Sequence, residues 1–140
     1  MMKLLNGWKT HLEKSLKKGN DMKLSEHFDS SEFACKCGNC EFDGRQMNPD
    51  FFDFLVKLRA VFDRPMVITS AIRCKSHNAR IGGRPNSFHT QGRAVDVFCT
   101  DGYLRHELVR LILDMGGSCG FYSNFIHIDN RKNPVLFHGK

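Results

Sequence analysis

Apolar residues recur at three- and four-residue steps in three stretches of the chain, and strand-like runs fall between and after the last two. Leu5, Trp8, Leu12 and Leu16 share one face of a helix that Gly19-Asn20-Asp21 ends. Residues 1–21 thus read as a basic amphipathic extension. It packs on the domain, contacts an anionic surface or is an upstream-start artefact ahead of Met22; packing is the expectation. Residues 22–140 form the domain itself. The second helix begins at Asn48-Pro49, with Asn48 as N-cap and proline in the first turn. Phe51, Phe52, Leu55, Leu58 and Phe62 form its stripe, and Asp63-Arg64-Pro65 breaks it. Asp101 caps the third helix, which turns Leu104, Leu108, Leu111, Ile112 and Met115 inward and stops at Gly116-Gly117.

The β-branched run Met66 to Ser70 predicts a short strand, Ala94 to Cys99 a buried one, and Phe121-Tyr122 with Phe125 to Asp129 a closing hairpin. Between the first two, residues 73–92 are rich in Gly, Asn, Ser and Arg and read as a long loop, the kind of segment that carries function. No internal repeat or βαβ alternation appears. The pattern predicts an α+β fold, a small antiparallel sheet with helices packed on one side.

Composition narrows the partners. At 140 residues, 41% hydrophobic and 26% charged, the chain is one ordinary globular domain able to fold without disulfides. It has no apolar run of membrane-spanning length, so no stable membrane insertion is expected. The start has no apolar core followed by a small-residue cleavage site, which predicts synthesis and folding in the cytoplasm without a signal peptide. The net charge of +6 admits nucleic acid or an acidic cell-wall polymer. Clustered basic residues are confined to Lys14, Lys17 and Lys18 and to Arg131 and Lys132, without the interleaved aromatics of a nucleic-acid stripe. No nucleic-acid partner is expected.

Six cysteines stand at 35, 37, 40, 74, 99 and 119. Cys35-Lys36-Cys37-Gly38-Asn39-Cys40 is spaced like a zinc knuckle that lacks a nearby fourth ligand. It is either a structural zinc site completed by a distant residue such as Cys74, or a set of reduced thiols folded against the core and open to disulfide formation in an oxidising medium. The second is the simpler expectation. Cys99 and Cys119 lie in apolar runs and read as core residues.

The chemistry concentrates in Ser87-Phe88-His89-Thr90-Gln91-Gly92-Arg93-Ala94-Val95-Asp96 and in Phe125-Ile126-His127-Ile128-Asp129. A loop histidine and a carboxylate seven positions later converge if the chain turns back at Gly92. His127 and Asp129 share a strand face. With the two strands adjacent, His89, Asp96 and His127 make a His₂-carboxylate set, the arrangement of a hydrolytic zinc with an open fourth position. A lone strand histidine is usually a hydrogen-bonded core residue, but a carboxylate in an apolar strand must be paired or bind metal. Asp129 could instead anchor Arg131 or a turn. His11, His27, His77, His106 and His138 lack such pairing and read as surface residues.

The pattern S-x-H-x-x-G-x-A-x-D, followed by a strand-borne H-x-D, resembles the zinc D-alanyl-D-alanine carboxypeptidase family of peptidoglycan peptidases. That family includes bacterial DD-peptidases, vancomycin-resistance dipeptidases and many phage endolysins. The resemblance runs from about Leu24 to about Arg131. It takes in Ser31-Glu32-Phe33, the helix Asn48 to Phe62 and Thr69-Ser70-Ala71-Ile72-Arg73.

The resemblance implies one catalytic zinc held by His89, Asp96 and His127. It implies that Arg73 meets a substrate carboxylate or polarises its carbonyl, that Ser87 holds a substrate carboxylate or orients the loop, and that Gln91 lines the cleft. Many relatives carry an acidic general base three residues before the last ligand. Here that position is Asn124, so Asp129 becomes the candidate base, its rival role being to fix a ligand histidine. The expected function is hydrolysis of an amide bond involving a D-amino acid in cell-wall stem peptides, by a monomeric phage-type endolysin that reaches the wall after release. The rivals are a DD-carboxypeptidase that trims terminal D-Ala and a non-catalytic zinc-stabilised wall-binding module.

Overall fold

The computed structural model describes residues 21–139. The amphipathic helix expected over residues 1–21 lies outside the described residues except for Asp21, which accepts hydrogen bonds from Ser30 and Ser31. The domain opens with two 3-10 turns, Ser30–Phe33 and Gly44–Gln46. Helix α1 (Pro49–Phe62) follows, its first turn capped by Asn48 Oδ1 accepting from the Phe51 amide at 3.0 Å. Strand β1 (Val67–Ser70) leads to a short helix α2 (Lys75–Arg80), a 3-10 turn (Phe88–Gln91) and strand β2 (Ala94–Phe98). Helix α3 (Gly102–Asp114), capped by Asp101, precedes β3 (Ser118–Phe121), β4 (Phe125–Asp129) and β5 (Leu136–His138).

The fold is α+β, with strand order β1-β2-β4-β3-β5. The first four strands pair antiparallel, as expected, while β5 joins β3 in parallel. This fifth strand is absent from the sequence pattern because it is three residues long, lies at the sheet edge and is largely exposed. The loop expected over 73–92 contains α2 and a 3-10 turn, too short for hydrophobic periodicity to register.

The two faces of the sheet divide the labour. Val95 and Val97 of β2, Ile126 and Ile128 of β4 and Cys119 of β3 point into a core with Phe51, Leu55 and Leu58 of α1 and Leu108 and Ile112 of α3. Period-two alternation sends Asp96, His127 and Asp129 to the other face. Among the described residues no helix is long and apolar enough to cross a membrane.

Candidate metal centre

Asp96 and His127 sit directly opposite each other on the paired strands β2 and β4. His89 arrives from the 3-10 turn, which Ser87 caps by accepting from the His89 amide at 3.2 Å. The turn folds back because Gly92 adopts a left-handed φ of +66°. A Cβ there would also stand 2.7 Å from the Gln46 carbonyl oxygen and 3.0 Å from Met47 Cα. Gly92→Ala is therefore expected to destabilise the fold by more than about 2 kcal/mol, combining left-handed strain with a backbone collision. Urea unfolding of the two proteins would measure it, and an unchanged midpoint would refute it.

Each histidine is oriented by its outer nitrogen. His89 Nδ1 donates to the Ala71 carbonyl at 2.7 Å, and His127 Nε2 donates to Asp129 Oδ2 at 2.8 Å. The nitrogens left over, His89 Nε2 and His127 Nδ1, each lie 3.2 Å from Asp96 Oδ1. In the neutral rings these are two lone pairs aimed at a carboxylate oxygen, three acceptors in search of a cation. One donor atom from each of the three residues falls within 4.8 Å of the other two. A tetrahedral zinc holds nitrogen and oxygen donors roughly 3.4 Å apart, so the set fits the ion in spacing and in chemistry.

The electrostatics agree. Burial works against the Asp96 carboxylate, but the facing His127 and His89 rings, in the form that carries a proton on the inner nitrogen as well, outweigh it and hold the pKa at about 2. Burial likewise works to lower the His127 pKa, yet the carboxylates of Asp129 and Asp96 raise it on balance. A site that favours a proton on a buried imidazole favours a divalent cation for the same reason.

Arg73 closes one side. Its Nη2 lies 3.6 Å from Asp96 Oδ2, its Nε donates to Ser70 Oγ at 3.2 Å, and its Nη1 donates to Asn78 Oδ1 at 3.3 Å. Burial lowers its pKa, and Asp96 opposes that. Asn78, buried on α2, in turn donates to the Arg84 carbonyl at 2.8 Å. Sequence reasoning did not find Asn78, because a polar residue in a Gly-rich segment carries no signal until the fold buries it.

Asp129 is fully buried, with both oxygens engaged. Oδ1 accepts from the Arg131 amide at 3.1 Å and from Arg131 Nε at 2.9 Å, while Oδ2 accepts from Arg131 Nη2 and from His127. Burial raises its pKa, but the Arg131 and His127 hydrogen bonds win and hold the carboxyl well below the usual range. The Arg131 guanidinium is itself seated 4.7 Å over the Phe88 ring. Gln91 is exposed, with its amide 3.5 Å from the Asn86 carbonyl. Asn124, at the β3–β4 turn, accepts through its carbonyl from the Cys99 amide.

The antiparallel sheet thus faces two histidines and a carboxylate toward one point, with an arginine beside them, a group of donors able to hold a metal ion. The family model of Peptidase M15 matches residues 26–129, and the chain belongs to that family of zinc-dependent peptidases. No curated protein matches it significantly.

Proposed function

We propose that this chain hydrolyses an amide bond involving a D-amino acid in peptidoglycan stem peptides, acting as a phage-type endopeptidase that reaches the wall after release. The observation that carries the reading is the convergence of His89, Asp96 and His127 on one point beside a guanidinium, within a chain of the M15 family. These three residues hold the zinc. When bound, the ion supplies an activated water and polarises the scissile carbonyl.

The chain's own residues do the rest. Arg73, steadied by Ser70 and Asn78, presents a planar fork that suits a substrate carboxylate or the oxygen of a carbonyl gaining charge. Ser87 sets the turn that carries His89, and Gln91 stands exposed on the same turn, open to a bound peptide. Asp129 is assigned a positioning role in place of the general-base role expected of it. A carboxylate with both oxygens occupied, accepting the outer N–H of a ligand histidine, fixes the ring and raises its basicity. The net positive charge draws the protein to an anionic wall.

Purified sacculi provide the test. Zinc-loaded protein is expected to lower turbidity and expose new amino groups, and chelation should stop both until zinc is restored. Release of free D-Ala without loss of turbidity would instead identify a carboxypeptidase. Binding to sacculi with no cleavage of any kind would identify a wall-binding module, the reading that Asn124 keeps in view.

A further inference from the structure

A second cluster lies apart from the histidines. Cys35, Cys37 and Cys40 come from the loop after the first 3-10 turn, and Cys74 comes from the residue immediately after Arg73. The sulfur atoms of all four lie within 4.8 Å of one another, with Cys37 and Cys40 at 3.4 Å. None is in a disulfide. Tetrahedral zinc with Zn–S bonds of about 2.3 Å sets its sulfurs roughly 3.8 Å apart, far beyond the 2.05 Å or so of a disulfide. The four side chains already stand near the first spacing.

The surroundings suit thiolates. Backbone amides point at three of the sulfurs: Asn39 N–H to Cys37 at 3.2 Å, Cys74 N–H to Cys35 at 3.3 Å and His77 N–H to Cys74 at 3.4 Å. Gly38, at a left-handed φ of +74°, makes the knuckle turn that brings Cys40 back toward Cys37. Exposed Lys36 and Lys75 flank the ligands along the chain and offset the negative charge of a four-thiolate site.

We propose that Cys35, Cys37, Cys40 and Cys74 bind a second, structural zinc ion that ties the 35–40 loop to the first residue after Arg73. The thiols give up their protons to solvent on binding and the metal undergoes no redox change. A closed Cys₄ set leaves no position for water, so this ion takes no part in hydrolysis. Its effect is mechanical. Cys74 caps α2, the helix carrying Asn78, so the tether fixes the segment that follows Arg73 and bears its Asn78 partner.

Metal analysis of the full chain, purified under reducing conditions with zinc present, tests this independently of the peptidase reading. The wild type is expected to hold two zinc ions, the double variant His89→Ala/His127→Ala one, and Cys37→Ser/Cys40→Ser one. Cobalt loaded into the histidine double variant should give the intense thiolate-to-cobalt charge-transfer band of a tetrahedral sulfur site. A wild type with a single zinc that is lost with the histidines would overturn the cysteine site and leave the hydrolytic centre standing. A zinc retained by the histidine variant, but without the cobalt band, would also overturn it. So would an intact mass short of two hydrogens from a Cys37–Cys40 disulfide. Because the wild-type count and the cobalt spectrum need no cysteine variant, a failure of that variant to fold leaves the test intact.

Discussion

Asp96→Asn is expected to abolish zinc binding at the histidine centre and to lower peptidoglycan hydrolysis by at least about three orders of magnitude. The reasoning is local. Asp96 Oδ1 lies between His89 Nε2 and His127 Nδ1, 3.2 Å from each, and it is the one anionic donor of the three. Asparagine keeps the shape and removes the charge. Losing the ion forfeits several kcal/mol of transition-state stabilisation, and about 4 kcal/mol is a thousandfold in rate. Zinc titration by calorimetry alongside the sacculus assay would check it. Near-normal metal affinity and rate in the variant would remove Asp96 from the ligand set. In the metal-free protein the same change leaves Arg73 with one carboxylate fewer, so a modest fall in melting temperature accompanies it at neutral pH.

Asp129→Asn separates the two roles open to that carboxylate. As a positioning residue, its loss should weaken zinc binding by roughly 10- to 100-fold, the usual effect of removing a carboxylate that holds a ligand histidine. It should also cost about 3 kcal/mol of stability, the low end for a broken buried pair, since Arg131 is partly exposed and can find water. The pH dependence follows in sign. The folded pKa of Asp129 is depressed, so its stabilisation is fully present above the unfolded carboxylate pKa of about 3.9 and is lost as pH falls through the folded value. The gap between wild type and variant should therefore be wide at neutrality and close in acid, as thermal unfolding at several pH values would show. Loss of hydrolysis with zinc affinity and melting temperature unchanged would make Asp129 a general base instead.

Much of this was legible because it rests on short-range rules. Asn48 and Asp101 mark their helix starts through a single side-chain oxygen, and both caps form. The alternation in Phe125 to Asp129 puts isoleucines inward and His127 and Asp129 outward, so pairing with β2 suffices to bring His127 to Asp96. What the sequence concealed depends on partners far along the chain. Asn78 matters through Arg73, and the Ala71 carbonyl matters through His89, yet neither residue type signals a site. Strand β5 owes its existence to an edge of β3. Gly120 leaves room there for the Phe137 ring, which lies 5.4 Å from that of His127. Cys74 was open to naming as a distant partner of the 35–40 cysteines, and it is the fold that brings the four sulfurs within 4.8 Å of one another.

The pairing of Asp96 with His127 has a bearing on how the chain avoids misassembly. A slip of β4 by one position against β2 would turn both isoleucines to the outer face and drive an imidazole and a carboxylate into the hydrocarbon interior. Such an error cannot persist as a nearly native, silently defective species, because it sacrifices solubility and compactness along with the chemistry. Catalytic competence and correct strand alignment are thus proofread together, by the same five residues.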